Sequence, residues 1–237
     1  MKRAAFHIAG LCLCLVLVLA CRENKAENKP PQLVKPPVQV DREILYMDPD
    51  SSLEGRNLDS GDRTNWQKPQ VVISQLGDLS NKVVADIGAG TGYFTMRLAR
   101  FARKVIAIDI DSTFLSYIER RAAKTTQRKH RNIETRLTMP DDPSLQQSET
   151  DLVLIVNTYA YIQDRVDYFR KVHAGLRESG HLVVVDFKKR PLPVGPPSGE
   201  KVNAATVITE MDSAGFKVVS VDSTSLQYQY QVRLEKS

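Results

Sequence analysis

The side chains best placed to do chemistry in this 237-residue chain lie in one short stretch and one residue beyond it: Asp86-Ile87-Gly88-Ala89-Gly90-Thr91-Gly92, then Asp109. Glycines let a backbone turn sharply and approach a ligand closely, and a helix start behind them offers unpaired N–H groups and the positive end of a dipole. An acidic residue two places before the first glycine, as Asp86 is, suits a ligand with a free ammonium. Asp109 follows about 20 residues past the loop, where a carboxylate can accept both hydroxyls of a ribose. Nicotinamide, flavin and other nucleoside ligands all use such a loop, so its details matter. A dinucleotide fingerprint needs its third glycine where Tyr93 stands. A phosphate-binding P-loop needs Lys followed by Ser or Thr, which the stretch lacks.

These residues need elements to hold them, and the hydropathy pattern supplies them. A helix is expected from Trp66, with Pro69 in its first turn, Val72, Ile73 and Leu76 on one face and a stop at Gly77. The apolar run at residues 82–88 reads as a buried parallel strand that delivers the glycine loop. Phe94, Leu98, Phe101 and Ala102 follow at helical spacing, with Arg97, Arg100 and Arg103 on the other side. Residues 105–108 form a second strand ending at Asp109, and Phe114, Leu115 and Ile118 open the next helix. Residues 133–137 and 151–156 give a third and fourth strand. A helix carrying Val166, Phe169, Val172 and Leu176 closes on Gly180 as C-cap, and residues 181–185 make the fifth strand. Alternating strands and helices mean an open parallel sheet covered on both faces. After a helix over 203–214, stopped by Gly215, the strands at 217–221 and 226–234 are joined by a short turn, so they must be antiparallel.

With these elements in place, Asp86-Ile87-Gly88-Ala89-Gly90-Thr91-Gly92 resembles motif I, and Ile106-Ala107-Ile108-Asp109 motif II, of class I S-adenosylmethionine (SAM)-dependent methyltransferases. The likeness runs from about Trp66 to the end. It implies an α/β, Rossmann-like fold over residues 66–237: a seven-stranded, mostly parallel sheet with a C-terminal antiparallel hairpin and helices on both faces. It also implies methyl transfer from SAM to an unidentified, small-molecule acceptor, with S-adenosylhomocysteine as product. The cofactor residues it implies are Asp86, Gly88, Ala89, Gly90, Gly92, Asp109, Ile110, Asp141 and Asn157. Among these, Gly88 and Gly90 would meet the methionine moiety, Asp86 its ammonium, Asp109 the ribose, Asp141 the adenine amino group and Asn157 the methionine part. Within the family the chain is similar to bacterial proteins that carry Asp186-Phe187-Lys188-Lys189-Arg190-Pro191-Leu192-Pro193 after strand five. It departs from their Tyr-His-His-like segment at Tyr159-Ala160-Tyr161, which leaves Tyr159 and Tyr161 as the candidate catalytic residues. Lys188, Lys189 and Arg190 read as a solvated loop or as a seat for an anionic acceptor.

The N-terminus reads differently. Lys2 and Arg3 precede an apolar run shorter than the roughly 20 residues a membrane span needs. Val18-Leu19-Ala20-Cys21 resembles the lipobox of bacterial lipoproteins, with residues 1–20 as signal peptide and Cys21 as the acylated residue. That implies a membrane anchor on the extracytoplasmic face. Residues 21–40, with Pro30-Pro31 and Pro36-Pro37, form a tether, and residues 41–65 a polar extension. SAM is made in the cytoplasm, so three readings stand: a cytoplasmic enzyme whose signal is not used, SAM reaching the outside, or a non-catalytic nucleoside-binding or envelope-interaction lipoprotein on the same scaffold. All three cysteines, Cys12, Cys14 and Cys21, fall in this segment, so the folded domain holds neither disulfide nor Cys-ligated metal. His130, His173 and His181 lack metal-ligand spacing, and no metal is expected. The net charge of +5 falls to +3 without Lys2 and Arg3, too mild a surplus to call for nucleic acid.

Overall fold

The computed structural model describes residues 61–124 and 130–237. The signal segment at 1–20, Cys21, the tether at 21–40 and most of the 41–65 extension lie outside the described residues. In chain order the elements are α1 (Gly61–Gln67), α2 (Pro69–Ser74), β1 (Val83–Ile87), α3 (Thr95–Leu98), β2 (Lys104–Asp109), α4 (Ser112–Lys124) and β3 (Ile133–Leu137). Then come β4 (Thr150–Val156), α5 (Arg165–Gly175), β5 (Leu176–Phe187), α6 (Ala204–Ser213), β6 (Phe216–Asp222) and β7 (Gln229–Lys236), with 3-10 turns at Tyr159–Tyr161 and Ser198–Glu200.

Seven strands form one sheet in the order β3-β2-β1-β4-β5-β7-β6. The first five pair in parallel, and β7 runs antiparallel to both β5 and β6. This is the Rossmann-like methyltransferase fold that the resemblance implied, with its terminal hairpin inserted beside β5. The strand order reverses between β1 and β4, so the strand C-termini there open a crevice, the place where open α/β sheets bind ligands. Both faces of the sheet are covered. Phe169, Val172, Val207 and Met211 from α5 and α6 pack with Ile106, Val153 and Val184 on one side. Val72, Ile73 and Leu98 pack with Val84, Val105, Leu154 and Val183 on the other. Burial on both faces is why β1 and β4 read as unbroken apolar runs rather than alternating ones.

Four local expectations give way to tertiary structure. A helix was expected from Trp66 after a polar extension, yet α1 already begins at Gly61, and it is separated from α2 by Lys68 at φ 48°. The ring of Pro69 disfavours the right-handed helical region for the residue before it, so one helix becomes two. Arg97 was expected on the solvent side. It is 1% exposed, donating from Nη1 to the Tyr93 carbonyl at 2.6 Å with its guanidinium 3.8 Å from the Tyr93 ring centroid. Gly180 is not a C-cap: α5 ends at Gly175, and Leu176 already pairs with Thr150 in the sheet. Leu226 is buried ahead of β7, which starts at Gln229. His173 packs edge-on against Phe216, 5.2 Å between centroids, a structural contact.

Asn203 caps α6, its side chain accepting from the Thr206 N–H at 2.7 Å. Asn203→Ala should cost about 1 kcal/mol in equilibrium urea unfolding, and Asn203→Ser only a few tenths. Equal losses for both would mean the cap contributes nothing.

Candidate functional site

β1 and β2 run side by side with Ile87 opposite Ile108, so the glycine loop emerges next to the end of β2. Gly88 and Ala89 donate their N–H groups to the Ile108 carbonyl at 2.9 and 3.1 Å. Gly88, Gly90 and Gly92 all sit at positive φ, 73°, 53° and 80°, conformations that side chains resist. At Gly88 there is no space either: a Cβ would lie 2.2 Å from Thr158 Oγ1. Asp109, 8% exposed, clasps the loop, Oδ2 accepting from Gly90 N at 2.8 Å and Oδ1 from Asp111 N at 3.0 Å. Each carboxylate oxygen has two lone pairs, so one remains on each for a ligand hydroxyl.

Gly88, Ala89, Gly90, Asp109, Ile110 and Asn157 line a single cleft of about 700 Å³ at the C-terminal ends of the strands. Ile110 and Met139 face it at 60% and 67% exposure, two apolar side chains held open where a flat base can lie. Asn157 holds a left-handed turn at φ 57° after β4 and accepts from Gln229 Nε2 at 2.5 Å. Gly92 faces away, its missing side chain making room for Ile118.

Asp86 is a correction. It is 2% exposed and does not line the cleft; it anchors the turn behind the loop, with Oδ2 accepting from Thr95 Oγ1 at 2.6 Å. Burial is the main cause that pushes its carboxyl up to about 6, against the Thr95 hydrogen bond, with Asp109 raising it further and Arg63 lowering it. Asp141 is a second correction. It sits exposed in the turn after β3, its carbonyl taking Lys171 Nζ at 2.7 Å, and Thr138, Met139 and Pro140 line the cleft in its place. Tyr159 is a third. It is fully buried, stacked on Phe169 and donating to Glu210, which Arg165 also holds through two hydrogen bonds. Burial, first, and Glu210 push its phenol above the ordinary range, so it supplies no base to the cleft. Tyr161, 65% exposed, does line it. Lys188 and Arg190 are turned onto the carbonyls of Leu226 and Gln227 rather than onto an acceptor.

Sequence reasoning missed Arg63, Trp66, Thr158, Tyr168 and Phe187, all in the cleft wall. Arg63 and Trp66 come from α1, whose start at Gly61 lies ahead of the helix expected from Trp66, and the other three depend on contacts between distant segments. The one available signal was the lone Trp66 beside the domain boundary.

Residues 84–180 match the family model described as a methyltransferase domain. A protein of Mycolicibacterium smegmatis named as a probable S-adenosylmethionine-dependent methyltransferase is 26% identical over 187 residues, 72% of this chain and 70% of that protein. The tRNA U34 carboxymethyltransferase of Shewanella sediminis is 28% identical over 194 residues, 75% of this chain. The match spans little more than half, 57%, of that relative's length. The crystal structure of a SAM-dependent methyltransferase from Aquifex aeolicus superposes with a TM-score of 0.71 at 21% identity, covering 80% of this chain and 100% of that one. The superposition carries the fold, and the match to the methyltransferase domain lies within residues 84–180.

The carboxyl of Asp186, like that of Asp86, is raised to about 6, chiefly by burial. Unfolded, such carboxyls titrate near 3.8. At these two carboxyls the unfolded chain therefore releases, between about pH 4 and 6, protons that the folded chain keeps, and their contribution to stability falls as pH rises through that window. Asp86→Asn should make the fall between pH 4 and 6 shallower, by up to about 3 kcal/mol, in urea unfolding at pH 4, 5 and 6. Comparing variant with wild type cancels the histidines, and identical slopes would sink the assignment.

Proposed function

We propose that this chain is a SAM-dependent methyltransferase acting on a small-molecule acceptor, held on the extracytoplasmic face of a membrane by a lipid on Cys21. S-adenosylmethionine is the cofactor that the domain match, the relatives and the cleft together support. The observation that carries the reading is the pairing of Asp109 with the Gly90 amide beside the open apolar side chains of Ile110 and Met139. Ribose hydroxyls find the free lone pairs of the Asp109 carboxylate, and a purine finds Ile110 and Met139. The methionine end lies along Gly88, whose missing side chain lets Thr158 close onto the loop, and beside Asn157, fixed by Gln229.

SAM supplies a methyl group on a sulfonium whose leaving group is already activated. The protein's part is to align acceptor and methyl and to keep water out. A general base is needed only if the acceptor must lose a proton, and Tyr161 is the phenol placed to meet it. A cleft of this volume, walled on its far side by Trp66 and Phe187, suits a small acceptor. The anchor reading rests on Val18-Leu19-Ala20-Cys21 and the polar, proline-rich stretch behind it. Among the described residues no helix is long and apolar enough to cross a membrane.

In calorimetric titration of the full chain in mild detergent, SAM and S-adenosylhomocysteine should bind saturably, and Asp109→Ala should weaken both at least tenfold. A well-folded wild type that binds neither would end the reading. For the anchor, metabolic labelling with a radioactive fatty acid should mark wild type and leave Cys21→Ser unmarked; an unlabelled wild type would remove it.

A further inference from the structure

We propose that the half of the cleft away from Asp109 is a seat for a planar aromatic acceptor, stacked on the Trp66 indole where it meets Phe187. The proposal rests on the reading of the other half as the SAM site. Five of the 24 residues lining the cleft are aromatic, Trp66, Phe114, Tyr161, Tyr168 and Phe187, against 7% aromatic residues in the chain. Four of these belong to elements on the far side: Trp66 to α1, Tyr161 to the turn after β4, Tyr168 to α5 and Phe187 to the end of β5. An aliphatic occupant needs only apolar area, which leucine, isoleucine and methionine supply. Aromatic walls add a preference in geometry, offset stacking or edge contact with another ring.

The wall is built to stay in place. Trp66 and Phe187 lie 5.5 Å apart between centroids, tilted by 31°. The chain comes back across the Phe187 ring at Gly195, φ 81°, where a Cβ would lie 2.6 Å from the ring. The strap from β5 to α6 is fixed at both ends by lysines. Lys188 Nζ donates to the Leu226 carbonyl at 2.8 Å, and Lys201, 2% exposed, donates to the Arg190 carbonyl at 3.0 Å with its ammonium 5.7 Å from the Phe187 ring centroid. Phe187 is thus clamped, while Trp66 stays partly exposed and Tyr161 stands open at the mouth. Among the described residues lining the cleft, Arg63 is the one cation and Asp109 and Asp111 are the anions.

Trp66 is the only tryptophan in the chain, so its emission reports on this seat alone. The full chain in detergent, saturated with S-adenosylhomocysteine as checked by calorimetry, is titrated with 4-nitrophenol, with decanoate as the aliphatic probe. Saturable quenching by 4-nitrophenol is expected, with no change from decanoate. Phe187→Leu, which keeps apolar volume but loses the ring, should weaken 4-nitrophenol at least fivefold. Only linear, collisional quenching, or displacement of 4-nitrophenol by decanoate at equal concentration, would overturn the aromatic seat. Quenching by bulk tRNA without quenching by 4-nitrophenol would overturn it in favour of a nucleic-acid acceptor. If S-adenosylhomocysteine itself fails to bind, the cofactor reading falls, and titrating the unloaded chain with 4-nitrophenol still decides the seat.

Discussion

The cleft depends on one carboxylate. Three glycines at positive φ turn the chain after β1, and glycine, being permissive, cannot by itself hold any one of the conformations it allows. Asp109 does the holding, with one oxygen on the Gly90 amide and the other on the Asp111 amide. It can do so because parallel pairing of β1 with β2 brings the two strand ends together. The ligand-facing lone pairs are aimed by the same bonds that order the loop, so binding does not have to order the loop first.

Two aspartates that look alike in sequence are assigned opposite tasks by burial. Asp109 keeps its oxygens at the rim of the crevice. Asp86, one strand over, is turned inward onto Thr95, and the loss of water around it raises its carboxyl to about 6. Tyr159 and Tyr161 divide in the same way, one locked to Glu210 beneath the surface and the other open in the cleft two residues later. At each pair the residue type names the chemistry available, and the fold decides which copy offers it to a ligand.

This division explains what could be read in advance. The strands at 83–87, 104–109 and 150–156 were legible because burial on both faces leaves near-continuous apolar runs, and the terminal hairpin because its turn is too short for a crossover. Gly88, Gly90 and Asp109 were legible because their roles are local to strand ends. Arg97 was not, since helical periodicity assumes that the polar side of a helix meets water, and here the Tyr93 ring covers it. Asp141 failed for a related reason: a turn rich in proline and aspartate fixes no direction for any one side chain, and the fold turned Met139 into the cleft instead. Trp66, Tyr168 and Phe187 meet only through contacts between segments far apart in the chain.

The two halves of the cleft therefore differ in how they are built. The Asp109 half is made of strand ends and the loops that follow them directly, so the parallel sheet itself fixes its geometry. The aromatic half combines both kinds of element: Trp66 comes from a helix that precedes the sheet and Gly195 from the strap between β5 and α6, while Tyr161, Tyr168 and Phe187 come from the turn after β4, from α5 and from the end of β5. Only the helix and the strap lie outside the strand order, so Trp66 is the aromatic that can change without disturbing the sheet. At Gly195 a Cβ would lie 2.6 Å from the Phe187 ring, so the strap can cross the ring this closely only as glycine. This glycine lies outside the glycine loop, and what it fixes is the position of Phe187 rather than the cofactor.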